Sequence, residues 1–167
     1  MNLAAKIVGL CFLVIIASAS YAAPISAQPE IVGIASVIDG DTIEIHGQRI
    51  RLHGIDAPES LQECLSSNRT PWRCGQRAAL VLAERIANSS IKCRPLDQDR
   101  YGRIIATCLK GSEDISRWMV ANGWAVAFRR FSLDYAEDEE RARRTRRGLW
   151  EGTFEMPWDW RARQRER

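Results

Sequence analysis

No apolar run in this sequence is long enough to cross a bilayer comfortably; the longest, residues 7–19, falls short of the ~20 residues a spanning helix needs. Only two histidines occur, His46 and His53. His46 falls in a turn, where solvation is the ordinary state. His53 reads as a strand-face packing residue, and no nucleophile is paired with it. Histidine-driven catalysis is therefore not indicated. No C-x-x-C pair exists, which makes zinc a weak reading of the cysteines. No internal repeat exists, which sets aside solenoids and propellers. Charge of one sign is not abundant either. The formal net charge of +3 is too small on its own to demand a nucleic-acid partner. The arginines are bunched, however. Arg141, Arg143, Arg144, Arg146 and Arg147 form one cluster, and Arg161, Arg163, Arg165 and Arg167 end the chain. A solvated helix face and a frayed tail are the plain readings of these clusters.

What is present is a globular composition: 167 residues, 46% hydrophobic and 27% charged, enough for one domain with a core. Residues 1–22 read as a signal peptide. Lys6 supplies the positive start, residues 7–19 the apolar stretch, and Ser20-Tyr21-Ala22 a cleavage site, with cleavage after Ala27 as a second option. An uncleaved anchor is the alternative. A lipoprotein reading of Cys11 is weak, because the apolar run continues past it. Residues 23–30 are a linker, 31–150 the domain, and 151–167 a basic tail to which no element is assigned. Export makes the destination secreted or periplasmic, and leaves four cysteines in an oxidising compartment. A hairpin centred between Arg100 and Tyr101 puts Cys93 opposite Cys108, close enough to bond. Cys64–Cys74 is then the second disulfide, stapling the loop between them. Zinc ligation, or four free thiols if export is wrong, are the alternatives.

Residues 31–38, 42–45 and 48–55 alternate as strands of an antiparallel meander. Residues 60–73 are a loop and 75–88 a helix, with Ala78, Leu82 and Ile86 at spacing four. Residues 91–96 and 103–109 form a second hairpin. Asp114 caps a helix that stops before Gly123, and 124–128 is a short strand. A last helix starts near a capping box, Asp134-x-x-Glu137, and runs to Arg147. Strands first and helices later indicate an α+β fold with a small barrel.

The chemistry concentrates in Val37-Ile38-Asp39-Gly40-Asp41-Thr42 and in Arg51-Leu52-His53-Gly54-Ile55-Asp56-Ala57-Pro58-Glu59. Both stretches end strands in acidic turns. If those ends meet, Asp41, Asp56 and Glu59 converge, and close carboxylates need a cation or a proton. A hard divalent cation on oxygen ligands is the natural occupant. Strand parity puts Arg51 and Asp56 on opposite faces, so serving one site requires a bend between them, and Gly54 is the place for it. Phosphodiester hydrolysis needs this set of groups: carboxylates for a cation, Glu59 for a water, and the forks of Arg51 and Arg103 for phosphate oxygens. Arg100 and Tyr101 at the same hairpin tip add donors and a ring that can stack on a base. Each has a plainer alternative. The aspartates can be turn formers, Arg51 with Glu59 an ion pair, and Arg100 and Arg103 edge charges that protect a strand.

These two motifs, together with Asp99-Arg100-Tyr101-Gly102-Arg103, resemble the staphylococcal nuclease-like, or thermonuclease, family in order and spacing. The resemblance runs over residues 31–150 and includes the closing Gly148-Leu149-Trp150. It implies a five-stranded OB-fold β-barrel with three helices. It implies a calcium-dependent nuclease acting on DNA and RNA, cleaving the 5′ P–O bond to leave 3′-phosphates. By that resemblance Asp41 and Asp56 are calcium carboxylates. Ala57, where the family's best-known member has threonine, ligates through its main-chain carbonyl. Glu59 is the proposed general base, Arg51 and Arg103 are the charge-stabilising arginines, and Arg100 and Tyr101 lie about a terminal phosphate. The family's base-stacking tyrosines have no clear match; Phe128 and Phe131 are nearby with Arg129 and Arg130 between them. The disulfides and the loop after Glu59 depart from the best-known member. A monomer without stable membrane association after leader removal is expected. Two rival readings stand beside the nuclease: a non-catalytic nucleic-acid-binding OB-fold module, and an exported interaction protein stapled by disulfides.

Overall fold

The structure, a computed structural model, describes residues 29–166. The leader, Cys11 and most of the linker fall outside the described residues.

The first strand is bent. β1 (Ile31–Ile34) and β2 (Ser36–Val37) are separated by Ala35, where the expected single strand changes partner. β3 (Thr42–Ile45) and β4 (Gln48–Leu52) follow as a hairpin turning at His46-Gly47. β5 (Ile55–Asp56) is a separate short strand, so the expected run over 48–55 is interrupted. Gly54 stands at the break with φ +73°, a left-handed conformation that favours glycine. The loop that follows is not featureless. It holds a two-stranded ribbon, β6 (Cys64–Leu65) with β7 (Pro71–Trp72), and leads into α1 (Cys74–Ile86). β8 (Ser90–Gln98) and β9 (Ile104–Lys110) form the long hairpin, and β10 (Glu113–Asp114) pairs back on β9. α2 (Ile115–Ala121) comes next, then β11 (Val126–Ala127), which pairs with β5. α3 (Ala136–Arg144) is shorter than expected. Its first flanking residue is Tyr135, with no side-chain cap, so the capping box at Asp134 does not form. Asp114 does cap α2, accepting from the Arg117 N–H at 3.1 Å.

The main sheet runs β1-β8-β9-β4-β3-β2. Its two ends, β1 and β2, are consecutive pieces of one bent strand. The path therefore closes on itself as a barrel of five strand lengths, with β4 and β9 its parallel pair. Closure leaves no free edge at the first strand. Ile43, Ile45, Ile50, Leu52, Ile91 and Ala106 fill the interior, with Leu82 and Ile86 of α1 and Met119 of α2 packed onto it. Each fully buried Ile or Leu contributes about 1.5–3 kcal/mol over its exposed state. That alternation has a consequence for the site: with Ile50 and Leu52 inside, Arg51 between them must point out of the barrel.

Two disulfides staple this frame. Cys93–Cys108 joins β8 to β9 at directly opposed register positions. Cys64–Cys74 ties the β6–β7 ribbon to the start of α1.

Residues 151–166 depart most from expectation. Thr153 bridges to Leu65, and Pro157 opens a fourth helix, α4 (Pro157–Arg165). Trp158 stacks on Phe128, with centroids 5.5 Å apart and planes 8° from parallel. The tail is thus a docked helix, held by aromatic stacking. Among the described residues no helix is long and apolar enough to cross a membrane.

Candidate active site

Three segments meet at one mouth of the barrel. The β2–β3 turn supplies Asp41, held in place as Asp39 Oδ1 accepts the Asp41 N–H at 3.0 Å. β4 supplies Arg51, whose register partner across the hairpin is Thr42, next to Asp41. β5 and the turn after it supply Asp56, Ala57 and Glu59. The bend at Gly54 brings Arg51 and Asp56 to one side: Arg51 Nη2 donates to Asp56 Oδ1 at 2.7 Å and Nη1 to Asp41 Oδ1 at 2.5 Å. Ala57 is buried, and its N–H donates to Asp41 Oδ2 at 2.9 Å.

Both aspartates are deeply buried, Asp56 at 0% and Asp41 at 3% exposure. Burial pushes the Asp41 carboxyl above its ordinary value, against the opposing pull of Arg51. Burial also works against the Arg51 charge, but Asp41 and Asp56 more than restore it. A pair of sequestered carboxylates is a set of hard oxygen donors, the chemistry that suits a hard divalent cation. Among the described residues, no three or more His, Cys, Asp or Glu side chains are gathered as a ready cage. Guanidinium groups stand between these carboxylates instead.

One of those groups comes from α4. Arg161 donates to both oxygens of Asp56, from Nη1 at 3.0 Å and Nη2 at 2.8 Å, and from Nη1 to Glu59 Oε1 at 2.7 Å. Burial would lower its pKa, yet the bonds to Asp56 and Glu59 push it above the ordinary arginine value. Glu59 itself is held by Gln62, which is fully buried. The Gln62 side chain accepts the Glu59 N–H at 3.2 Å and donates to the Glu155 carbonyl at 2.7 Å.

The hairpin tip forms the other wall. Arg103 donates from Nε to Asp99 Oδ2 at 2.8 Å and from Nη1 to Thr42 Oγ1 at 3.3 Å, so it lies beside Asp41's neighbour. Burial works to raise the Asp99 carboxyl, but the bonds from Arg103 and Tyr101 outweigh it and hold the group below its ordinary value. Arg100 Nη2 donates to the Tyr101 hydroxyl at 2.8 Å, and Tyr101 is largely exposed. Between tip and barrel mouth lies a cleft of about 1130 Å³. Asp41, Arg51, Glu59, Arg103, Tyr101 and Arg161 all line it.

Residues 49–152 match the family model described as staphylococcal nuclease homologue, more than half of the chain. The chain belongs to the staphylococcal nuclease-like family. Among its relatives is the succinoglycan biosynthesis protein ExoI of Rhizobium meliloti, 40% identical over 75% of this chain and 66% of that protein. The probable staphylococcal-like nuclease CAN2 of Oryza sativa is 35% identical over 75% of this chain. Protein ParB of Escherichia coli is 32% identical over 80% of each chain. The chain thus spans 66% of the Rhizobium protein and 32% of the rice protein.

Two residues of this staphylococcal nuclease-like site escaped the motif reading, Gln62 and Arg161. Gln62 carries no local signal, because a lone glutamine in a loop is ordinary. Arg161 carried one. Pro157-Trp158-Asp159-Trp160 precedes it, and a Pro followed by two tryptophans suits a helix start with an apolar surface better than a frayed tail.

Proposed function

We propose that this protein is an exported, calcium-dependent nuclease that hydrolyses phosphodiester bonds of DNA and RNA. The observation that carries the reading is the shared cleft: Arg51, Arg103, Glu59 and Asp41 line one space, and the wholly buried Asp56 sits directly behind Arg51, which donates to it. Asp41, Asp56 and the Ala57 carbonyl would hold the calcium ion. When bound, the ion supplies positive charge where phosphoryl charge grows, and it acidifies a water. Glu59, partly exposed to the cleft, takes a proton from the attacking water. Arg51 and Arg103 present planar donors to the non-bridging oxygens as the phosphorane gains charge. Arg100 and Tyr101 bind the flanking phosphate. The leaving oxygen is the 5′ oxygen, and the product keeps a 3′-phosphate. Family membership and the nuclease named in rice support this reading. The two disulfides accord with an oxidising destination.

The test is release of acid-soluble nucleotides from single-stranded DNA, with calcium and then with chelator. Wild-type protein releases nucleotides only with calcium. Arg103→Ala lowers turnover by about 10²–10³, the usual loss for one transition-state donor, while circular dichroism is unchanged. Folded protein that binds the DNA but releases nothing would establish the non-catalytic module in its place.

A further inference from the structure

The carboxylates at the barrel mouth already have a cation, and it belongs to the chain. Asp56 is wholly buried, yet its Oδ2 accepts from Arg161, more than a hundred residues away in sequence. The same guanidinium reaches Glu59. It is a bidentate fork on one carboxylate and a single bond to the next, the arrangement in which arginine binds carboxylates most strongly.

The fork is delivered by a rigid element rather than by a wandering side chain. α4 is fastened on one side by the stack of Trp158 on Phe128. On the other, Gln62 donates to the Glu155 carbonyl just before the helix. Pro157 is buried at the first turn. Gln62 also holds Glu59, so one buried amide joins the general-base turn to the segment that launches α4.

We propose that Arg161 is an active-site residue that sets cation affinity, its guanidinium competing with the divalent ion for Asp56 and Glu59. This rests on the reading of Asp41 and Asp56 as cation ligands. A divalent ion and the Arg161 fork compete for the Asp56 oxygens, since like charges at contact repel and Oδ1 already accepts from both Arg51 and Arg161. Binding of the ion therefore requires the fork to withdraw. By linkage, the apparent affinity is the intrinsic affinity multiplied by the fraction of time the carboxylates are free. A fork in place about nine-tenths of the time weakens calcium binding about tenfold. The effect of the helix is a calcium threshold: Glu59 is neutralised by Arg161 until the ion is plentiful enough to displace it.

The experiment is calorimetric titration of calcium into the whole mature protein, without nucleic acid, for wild type, Arg161→Gln and Asp41→Asn. Arg161→Gln is expected to bind calcium about tenfold more tightly than wild type, and Asp41→Asn to lose binding. Hydrogen exchange in residues 157–165 of the wild type should rise on calcium saturation, because the helix loses its Arg161 bonds. Should Arg161→Gln fold poorly, Arg161→Lys keeps the charge without the fork and is expected to bind a few-fold more tightly. Equal or weaker affinity in the folded Arg161 variants overturns the proposal. If Asp41→Asn still loses binding in that case, the ligand assignment stands and only the competition falls. If no protein binds calcium, the ligand assignment and the proposal fall together.

Discussion

Gly75 sits where no side chain fits. A Cβ there would lie 1.7 Å from the Glu59 carbonyl oxygen, at the first turn of α1. The helix thus presses against the backbone of the turn that carries Glu59, the proposed base, and the absence of a side chain sets the distance. Gly75→Ala must push Glu59 or the helix start aside, since backbone cannot rotate away as a flexible side chain does. The expected result is at least a tenfold loss of kcat with calcium affinity less affected, measured by steady-state cleavage and calcium titration. Wild-type kcat in a folded variant would show that the position of the turn does not matter. Residues of this kind are the least legible in a sequence. Asp41, Arg51, Asp56 and Glu59 stood out because their charges are costly near apolar strands. Gly75 looked like an ordinary helix boundary, because its role is a distance to a residue sixteen positions earlier.

At the scale of elements, local patterns were legible wherever their cause was local. The β8–β9 hairpin could be centred from sequence, and Cys93 does face Cys108. The register then shifts between Pro95 and Asp97, since proline cannot donate to the ladder. The bend demanded between Arg51 and Asp56 occurs at Gly54, where glycine takes the left-handed conformation that other residues resist. Elements fixed by distant partners were misread. The strand over 31–38 breaks at Ala35 because the barrel must close, and α4 orders because Phe128 offers Trp158 a face. The hairpin tip allows a pH prediction at this scale. Asp99 accepts from the Tyr101 and Arg103 N–H groups and from Arg103 Nε, so its folded pKa lies below its unfolded value. A depressed carboxylate adds stability that is complete above the unfolded pKa, near 3.8, and is lost as pH falls through the lower folded value. The tip should therefore hold Arg103 in place at neutral pH and release it only in strong acid. Carbon NMR of the Asp99 carboxyl is expected to titrate below the ordinary aspartate range. An ordinary midpoint would remove Asp99 as the group that orients Arg103.

For the whole molecule, the two disulfides separate stability from activity. Loop-closure entropy treats them nearly alike, because the spans are 15 residues for Cys93–Cys108 and 10 for Cys64–Cys74. Each should contribute about 3 kcal/mol by constraining the unfolded chain. Their surroundings differ. Cys93–Cys108 lies within the barrel wall, both cysteines at 0% exposure, and neither lines the cleft. Cys74 Sγ lies 3.4 Å from the Gln62 carbonyl oxygen, and Gln62 holds both Glu59 and the entry to α4. Paired alanine replacement should thus lower the urea midpoint to a similar degree for either bridge. Only Cys64→Ala with Cys74→Ala should also lower kcat in the fraction that is still folded, because the Glu59 turn loses its anchor. A barrel double mutant that loses kcat equally would mean that the site depends on the frame as a whole, and that the Cys64–Cys74 staple has no separate part in positioning Glu59.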